Sequence, residues 1–144
     1  MKCYADTSFL LALYREQTAS PAANAIMQRV AAPLPLTPLV FLELRNALNL
    51  AVFRGEIDTD TRKAAWVQLE QDIRDGVLAH VAPAAAAVYD KAAELSDRHG
   101  PSLGARTLDV LHVAAALVLG TSRLLSLDQR QRAWAGKVGL TVAP

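Results

Sequence analysis

Four acidic side chains occupy positions that would place their carboxylates at one edge of an alternating strand–helix fold. Asp6 and Asp128 each come directly after a predicted strand. Glu43 and Asp109 lie in early turns of apolar helices that can border the same edge. Carboxylate oxygens without a histidine pair or a thiolate at ligand spacing suit Mg²⁺ or Mn²⁺ rather than zinc. The four acids together therefore predict a divalent metal site, and such ions also bind phosphate oxygens.

Each acid also has a simpler explanation when it is considered alone. Asp6 and Asp128 precede helices, where aspartate is a favoured N-cap. Asp109 begins a helix, where its charge interacts favourably with the helix dipole, and Arg106 can pair with it three residues away. Glu43 has no cation three or four residues away. It is either an exposed side chain or one with a tertiary partner or a metal ion, and we favour the second reading.

His112 shares a helix face with Arg106 and Asp109. Arg106, Asp109 and His112 are spaced three apart in a stretch that is otherwise almost all Ala, Val and Leu. A lone histidine in such a stretch is more often a hydrogen-bonded core residue than a metal ligand. We therefore expect His112 to be a buried support for the neighbouring acids.

The elements that position these residues are predicted from hydrophobic runs and turn signals. Their order is β-α-α-β-α-α-β-α-α-β-α-β, which is typical of a parallel sheet with helices on both faces. Ligands of such sheets bind beyond the carboxyl ends of the strands. The predicted strands cover Lys2–Ala5, Leu34–Leu36, Val77–Val81, Arg123–Leu127 and Leu140–Val142.

Capping residues and glycines predict where the helices begin and end. Ser20 and Thr37 are expected N-caps, each followed by a proline that suits the first helical position. Gly55 is expected to end the helix that carries Glu43. A later helix is expected to end near Gly100, with a loop over residues 101–106.

The composition favours one globular domain over residues 1–144. Hydrophobic residues make up 52% and charged residues 20% of the chain, and the formal net charge is +1. Any surface for a polyanion must therefore be local. The single cysteine, Cys3, excludes a disulfide framework. Because no signal peptide or membrane span is evident, we expect a cytoplasmic protein.

Four stretches of the chain resemble the PIN-domain nucleases, and specifically the VapC-like toxins of bacterial toxin–antitoxin pairs. The third motif is the most specific of them. The stretches are "YADTSFLLALY" with Asp6, "PLVFLELRNAL" with Glu43, "GARTLDVLHVAAAL" with Asp109, and "LLSLDQRQRAWAGKVGLTV" with Asp128. The resemblance covers nearly the whole chain. It implies an α/β fold, a three-layer α/β/α sandwich with a short central parallel sheet.

The resemblance also implies roles for these residues in metal-dependent cleavage of RNA. Asp6, Asp109 and Asp128 would hold Mg²⁺ or Mn²⁺, and Glu43 would position or deprotonate a metal-bound water. The products would carry 5′-phosphate and 3′-hydroxyl ends. The hydroxyls that support the acids would be those of Thr7 or Ser8 and of Ser126. The spacing around Asp109 makes Arg106 and His112 supporting residues as well. Gln129, Arg130 and Gln131 stand where some members carry a further acid, so the number of metal ions stays open.

Partners are expected from the same resemblance and from local charge. RNA phosphates need basic contacts, and the candidates are Arg15, Arg45, Arg106, Arg130 and Arg132. A cognate antitoxin is expected to bind over the four acidic residues, and a homodimer is expected as well. The run from Leu39 to Phe53 is more apolar than one core contact requires, so one side of it can meet another subunit.

Three other readings remain open on the sequence. The chain could be a non-catalytic α/β module that acts through a dimer or partner interface. A phosphoaspartate receiver also carries an aspartate after its first strand, but "RLLSLD" and "LTVAP" lack the lysine that it requires. A haloacid-dehalogenase-like phosphatase would have an aspartate two residues after Asp6, where this chain has Ser8.

Overall fold

The computed structural model describes residues 2–144, and within them strands and helices alternate in the predicted order. The strands are β1 (Cys3–Ala5), β2 (Leu34–Leu36), β3 (Leu78–His80), β4 (Arg123–Leu125) and β5 (Thr141–Ala143). The helices are α1 (Thr7–Tyr14), α2 (Ser20–Met27), α3 (Pro38–Phe53), α4 (Thr59–Arg74), α5 (Ala85–Leu103), α6 (Thr107–Val118) and α7 (Gln129–Lys137).

All strand pairings are parallel, as predicted. β4 lies between β1 and β5, and β2 pairs with β3 in a second ladder that lies beside β1. All three residues of β1 are buried, because helices cover both faces of the short sheet as a parallel sheet requires. The architecture is therefore the expected α/β fold. Parallel pairing brings the carboxyl ends of β1 and β4 together, so Asp6 and Asp128 follow the same edge of the sheet.

Helix α6 provides the rigid base of this edge. Every residue from Asp109 to Ala116 is buried, which agrees with the apolar sequence that follows Arg106. A helix that is apolar on all sides is stable only inside a core. The strongly buried body of α6 therefore holds its first turn in a defined position.

Two predicted helix boundaries were wrong. Helix α2 begins at Ser20 itself, with Ala19 as N-cap, because the Ser20 hydroxyl accepts a hydrogen bond from the Gln17 backbone N–H at 2.8 Å. Helix α5 continues past Gly100 to Leu103 and carries Pro101 within its last turn.

The extension of α5 has a clear physical reason. Pro101 has no N–H to donate to the carbonyl four residues earlier, so the last turn loses one hydrogen bond, but the helix is closed three residues later. Gly104 then ends the helix with a positive φ of 55° and donates its N–H to the Gly100 carbonyl at 2.9 Å. The loop before α6 is consequently shorter than predicted.

No helix within residues 2–144 combines the length and the apolar character that a membrane span requires.

Candidate active site

Asp6 is fully buried at the end of β1 and caps helix α1. Its Oδ1 accepts hydrogen bonds from the Ser8 hydroxyl at 2.7 Å and from the Phe9 N–H at 2.9 Å. Its Oδ2 accepts one from the Ser126 hydroxyl at 2.5 Å. Burial raises the pKa of Asp6 despite these three donors. Within residues 2–144 this carboxylate has no salt bridge, so its charge is stabilised by hydrogen bonds rather than by a contacting cation.

Ser126 connects Asp6 to Asp128. The Ser126 hydroxyl donates to Asp6 and accepts a hydrogen bond from the Asp128 backbone N–H at 3.1 Å. Asp128 is partly exposed and caps helix α7, where its Oδ1 accepts from the Arg130 and Gln131 N–H groups at 2.8 and 3.3 Å. Asp6 and Asp128 therefore each cap a helix and also lie at the same edge of the sheet, because capping uses only part of each carboxylate.

Asp109 projects from the first turn of α6 and is almost completely buried. Its Oδ2 accepts hydrogen bonds from the backbone N–H and the side-chain Nε of Arg106, at 3.2 and 3.3 Å. The other end of the same guanidinium, Nη2, lies 3.8 Å from Asp128 Oδ2. Arg106 thus joins Asp109 to Asp128 while its own side chain stays 65% exposed.

Glu43, in the second turn of α3, has a tertiary partner. Its Oε2 lies 2.5 Å from His112 Nε2 and accepts a hydrogen bond from the Thr7 hydroxyl at 2.8 Å. Burial acts to raise the pKa of Glu43, but His112 and Thr7 outweigh it, so that the pKa is lowered overall. The Glu43 side chain keeps 24% of its surface exposed. Glu43 is therefore ionised and oriented by its two partners, and its side chain is partly exposed.

His112 is fully buried. Its second ring nitrogen, Nδ1, lies 3.0 Å from the hydroxyl of Tyr4 in β1. Sequence reasoning missed Tyr4, because one tyrosine in a short apolar strand gives no sign that its hydroxyl will meet a ring more than a hundred residues away. It also missed the buried Gln131, whose Nε2 lies 3.5 Å from Asp109 Oδ1.

The four acids form one connected neighbourhood, which we call the acidic groove and define by Asp6, Glu43, Asp109 and Asp128. Ser126 and Arg106 link three of them, and Glu43 and Asp109 interact electrostatically. No group of three or more His, Cys, Asp or Glu side chains in residues 2–144 is arranged as a metal site.

The donor set nevertheless fits a hard divalent cation in chemical type. Its ligand atoms are carboxylate oxygens, and no cation among residues 2–144 forms a salt bridge with the buried Asp6. Arg106 already places one positive charge between Asp109 and Asp128. The groove therefore holds more negative than positive charge, which a bound cation would offset.

The PIN domain sequence profile matches residues 3–137. No curated protein matches the chain. The structure resembles VapC20 of Mycobacterium tuberculosis, a toxin that cleaves the sarcin–ricin loop, at 19% identity and a TM-score of 0.70, over 99% of this chain and 100% of that one.

Two further solved structures have the same fold at lower identity. VapBC2 from Rickettsia felis, bound to a DNA fragment from its promoter, is 12% identical with a TM-score of 0.69, over 99% of this chain and 97% of that one. A toxin–antitoxin complex from Klebsiella pneumoniae is 12% identical with a TM-score of 0.62, over the same shares. Because the family profile covers nearly all of the sequence, the chain belongs to the PIN domain family.

Proposed function

We propose that the chain is a divalent-metal-dependent endoribonuclease that acts as the toxin of a toxin–antitoxin pair. The observation that carries the proposal is the acidic groove, in which Ser126 and Arg106 link Asp6, Asp109 and Asp128 beside the oriented carboxylate of Glu43. Membership of the PIN domain family supports a nuclease. The resemblance to VapC20 and to toxin–antitoxin complexes supports RNA as the substrate and an antitoxin as a partner.

In this proposal Asp6, Asp109 and Asp128 would hold Mg²⁺ or Mn²⁺. When bound, the ion would lower the pKa of a water molecule and supply positive charge to the scissile phosphate. Glu43 accepts a hydrogen bond from the attacking water, and its lowered pKa keeps it ionised near neutral pH. The chain needs no nucleophilic side chain, because water would form the new bond to phosphorus while the bond to the 3′ oxygen breaks and that oxygen takes up a proton, which leaves 5′-phosphate and 3′-hydroxyl ends.

The five candidate arginines divide into two groups by their exposure. Arg15 forms a salt bridge of 2.7 Å with Glu56, and Arg132 donates to the Ser126 carbonyl at 2.9 Å, so both stabilise the fold. Arg45, Arg106 and Arg130 are the better candidates for RNA phosphates, because each is exposed.

Arg45 is held differently from the other two. Its guanidinium stacks on the Trp66 ring at 4.0 Å and lies 5.5 Å from the Phe41 ring. Within residues 2–144 it has no hydrogen-bond acceptor. A stacked guanidinium keeps its N–H groups free for phosphate oxygens. Arg45 is therefore preorganised to bind a polyanion. It lies two residues after Glu43 in α3.

An exposed apolar surface on α3 supports protein partners. Leu42 is 64% exposed and Phe53 is 87% exposed. Eleven residues are close to three helical turns, so these two side chains lie on the same outward side of α3. We propose that this side contributes to a homodimer or to antitoxin binding. The same surface is the observation that favours the alternative, a module that binds partners without catalysis.

Assay of the purified chain on RNA separates the two functions. With Mg²⁺ or Mn²⁺ we expect internal cleavage that stops after treatment with EDTA and returns when the metal ion is restored. Sequencing of the new ends should find 5′-phosphates. Cleavage that survives exhaustive EDTA treatment would rule out the metal-dependent mechanism, and the absence of any cleavage would favour the binding module.

A further inference from the structure

A row of hydrogen-bonded side chains runs through the core from the start of α3 to Glu43. The Thr37 hydroxyl lies 3.4 Å from the Tyr4 hydroxyl, which lies 3.0 Å from His112 Nδ1. His112 Nε2 then lies 2.5 Å from Glu43 Oε2. Tyr4 and His112 are fully buried and Thr37 nearly so. Because these groups are out of contact with solvent, each proton in the row needs an acceptor within the row.

The carboxylate determines where a neutral His112 carries its proton. Glu43 is ionised and can only accept, so Nε2 must be the protonated nitrogen that donates to it. Nδ1 is then an acceptor, and the Tyr4 hydroxyl donates to it. The opposite tautomer would place a nitrogen lone pair against a carboxylate oxygen at 2.5 Å. The geometry therefore selects one tautomer.

We propose that His112 is a positioning residue for Glu43, which holds that carboxylate in one orientation by donating from Nε2 while the Tyr4 hydroxyl donates to Nδ1. The consequence for catalysis rests on the proposed function, because it assumes that Glu43 acts on the attacking water. The hydrogen-bond arrangement itself does not depend on RNA cleavage.

Nitrogen-15 NMR of the imidazole rings tests the arrangement without RNA or metal ion. We expect the neutral His112 ring to carry its proton on Nε2. In Glu43→Gln, whose amide can donate as well as accept, the tautomer with its proton on Nδ1 should appear as well. The matched control Glu94→Gln, a surface carboxylate on α5, should leave the tautomer unchanged. A proton on Nδ1 in the wild type, or an unchanged tautomer in Glu43→Gln, overturns the proposal.

Cleavage assays give the second readout. The amide nitrogen of glutamine can occupy the place of Nε2 and donate to Glu43, so His112→Gln should keep at least a third of the wild-type rate. His112→Ala should lose at least tenfold while circular dichroism stays native. If Gln is as impaired as Ala in folded protein, the positioning role is contradicted. If the wild-type chain cleaves no RNA, the proposed function fails, and the NMR result alone decides the arrangement.

Discussion

At the scale of single residues, several side chains serve the fold and the acidic groove together. Asp6 and Asp128 cap helices with part of each carboxylate and leave the rest at the carboxyl edge of the sheet. The position of both could be predicted, because each directly follows a strand. The pairing of Glu43 with His112 could not, since 69 residues separate them and periodicity does not report tertiary distance. What could be predicted was that Glu43 lacks a local cation.

The buried charge of Asp6 should reduce the stability of the fold. Its pKa is raised in the folded protein, so folding favours the protonated form and the ionised form carries the cost at neutral pH. We therefore expect Asp6→Asn to abolish cleavage and yet raise the midpoint of thermal unfolding at pH 7 in EDTA. The gain should shrink as the pH falls through the raised pKa, because wild-type Asp6 then becomes neutral as well.

Thermal unfolding followed by circular dichroism at several pH values measures this effect. Asp60→Asn, at an exposed position in the first turn of α4, is a suitable control and should show little change. A lower midpoint for Asp6→Asn at every pH would show that the hydrogen bonds from Ser8, Ser126 and Phe9 depend on the full carboxylate.

At the scale of elements, the order and type of strands and helices follow from the sequence, whereas boundaries depend on local contacts. Thr37 caps α3 as predicted, accepting from the Val40 N–H at 3.4 Å. Ser20 does not cap α2, because the preceding turn uses its hydroxyl. The end of α5 depends on Gly104 rather than on Gly100 or Pro101. That end matters because it leads into the turn that presents Asp109.

Substitution of Gly104 tests how tightly this junction is specified. Its φ of 55° disfavours any side chain, although nothing lies within 4 Å of an added Cβ. We expect Gly104→Ala to destabilise the fold by about 1 kcal/mol. The control Gly136→Ala lies within α7, without a positive φ and with open space around it. It should be neutral or stabilise the fold by up to about 1 kcal/mol.

Urea unfolding monitored by circular dichroism gives both free energies of unfolding. Equal effects of the two substitutions would mean that the positive φ at Gly104 is not a constraint in solution. If Gly104→Ala loses cleavage activity under conditions in which it stays folded, the junction also sets the position of Asp109.

At the scale of the whole molecule, a nearly neutral chain concentrates its charge and its apolar surface locally. The net charge of +1 is a near balance of opposite charges, which include the acidic groove and exposed arginines. The outward side of α3 carries Leu42 and Phe53, which a monomer would leave in water. Sequence reasoning anticipated an apolar excess over residues 39–53. It did not identify which side of the helix would remain open, because that depends on how α1 and α4 pack against α3.

Charge introduced on this surface should weaken self-association. We expect Phe53→Glu to shift the purified chain toward the monomer in sedimentation velocity, because a carboxylate in an apolar interface loses hydration without a partner. Tyr89→Glu, at a similarly exposed residue of α5 (63%), provides the control and should not change the mass. A homodimer that is unaffected by Phe53→Glu would place the interface on another surface.

The most direct test of the account is RNA cleavage by Asp109→Asn, measured beside its fold. Asp109 is buried in the acidic groove, and its isosteric amide keeps its size while removing the negative charge that would bind a metal ion. We predict a loss of cleavage of at least a hundredfold with a native circular dichroism spectrum, while Asp60→Asn cleaves like the wild type. Full cleavage by folded Asp109→Asn would contradict the assignment of the groove as the catalytic centre.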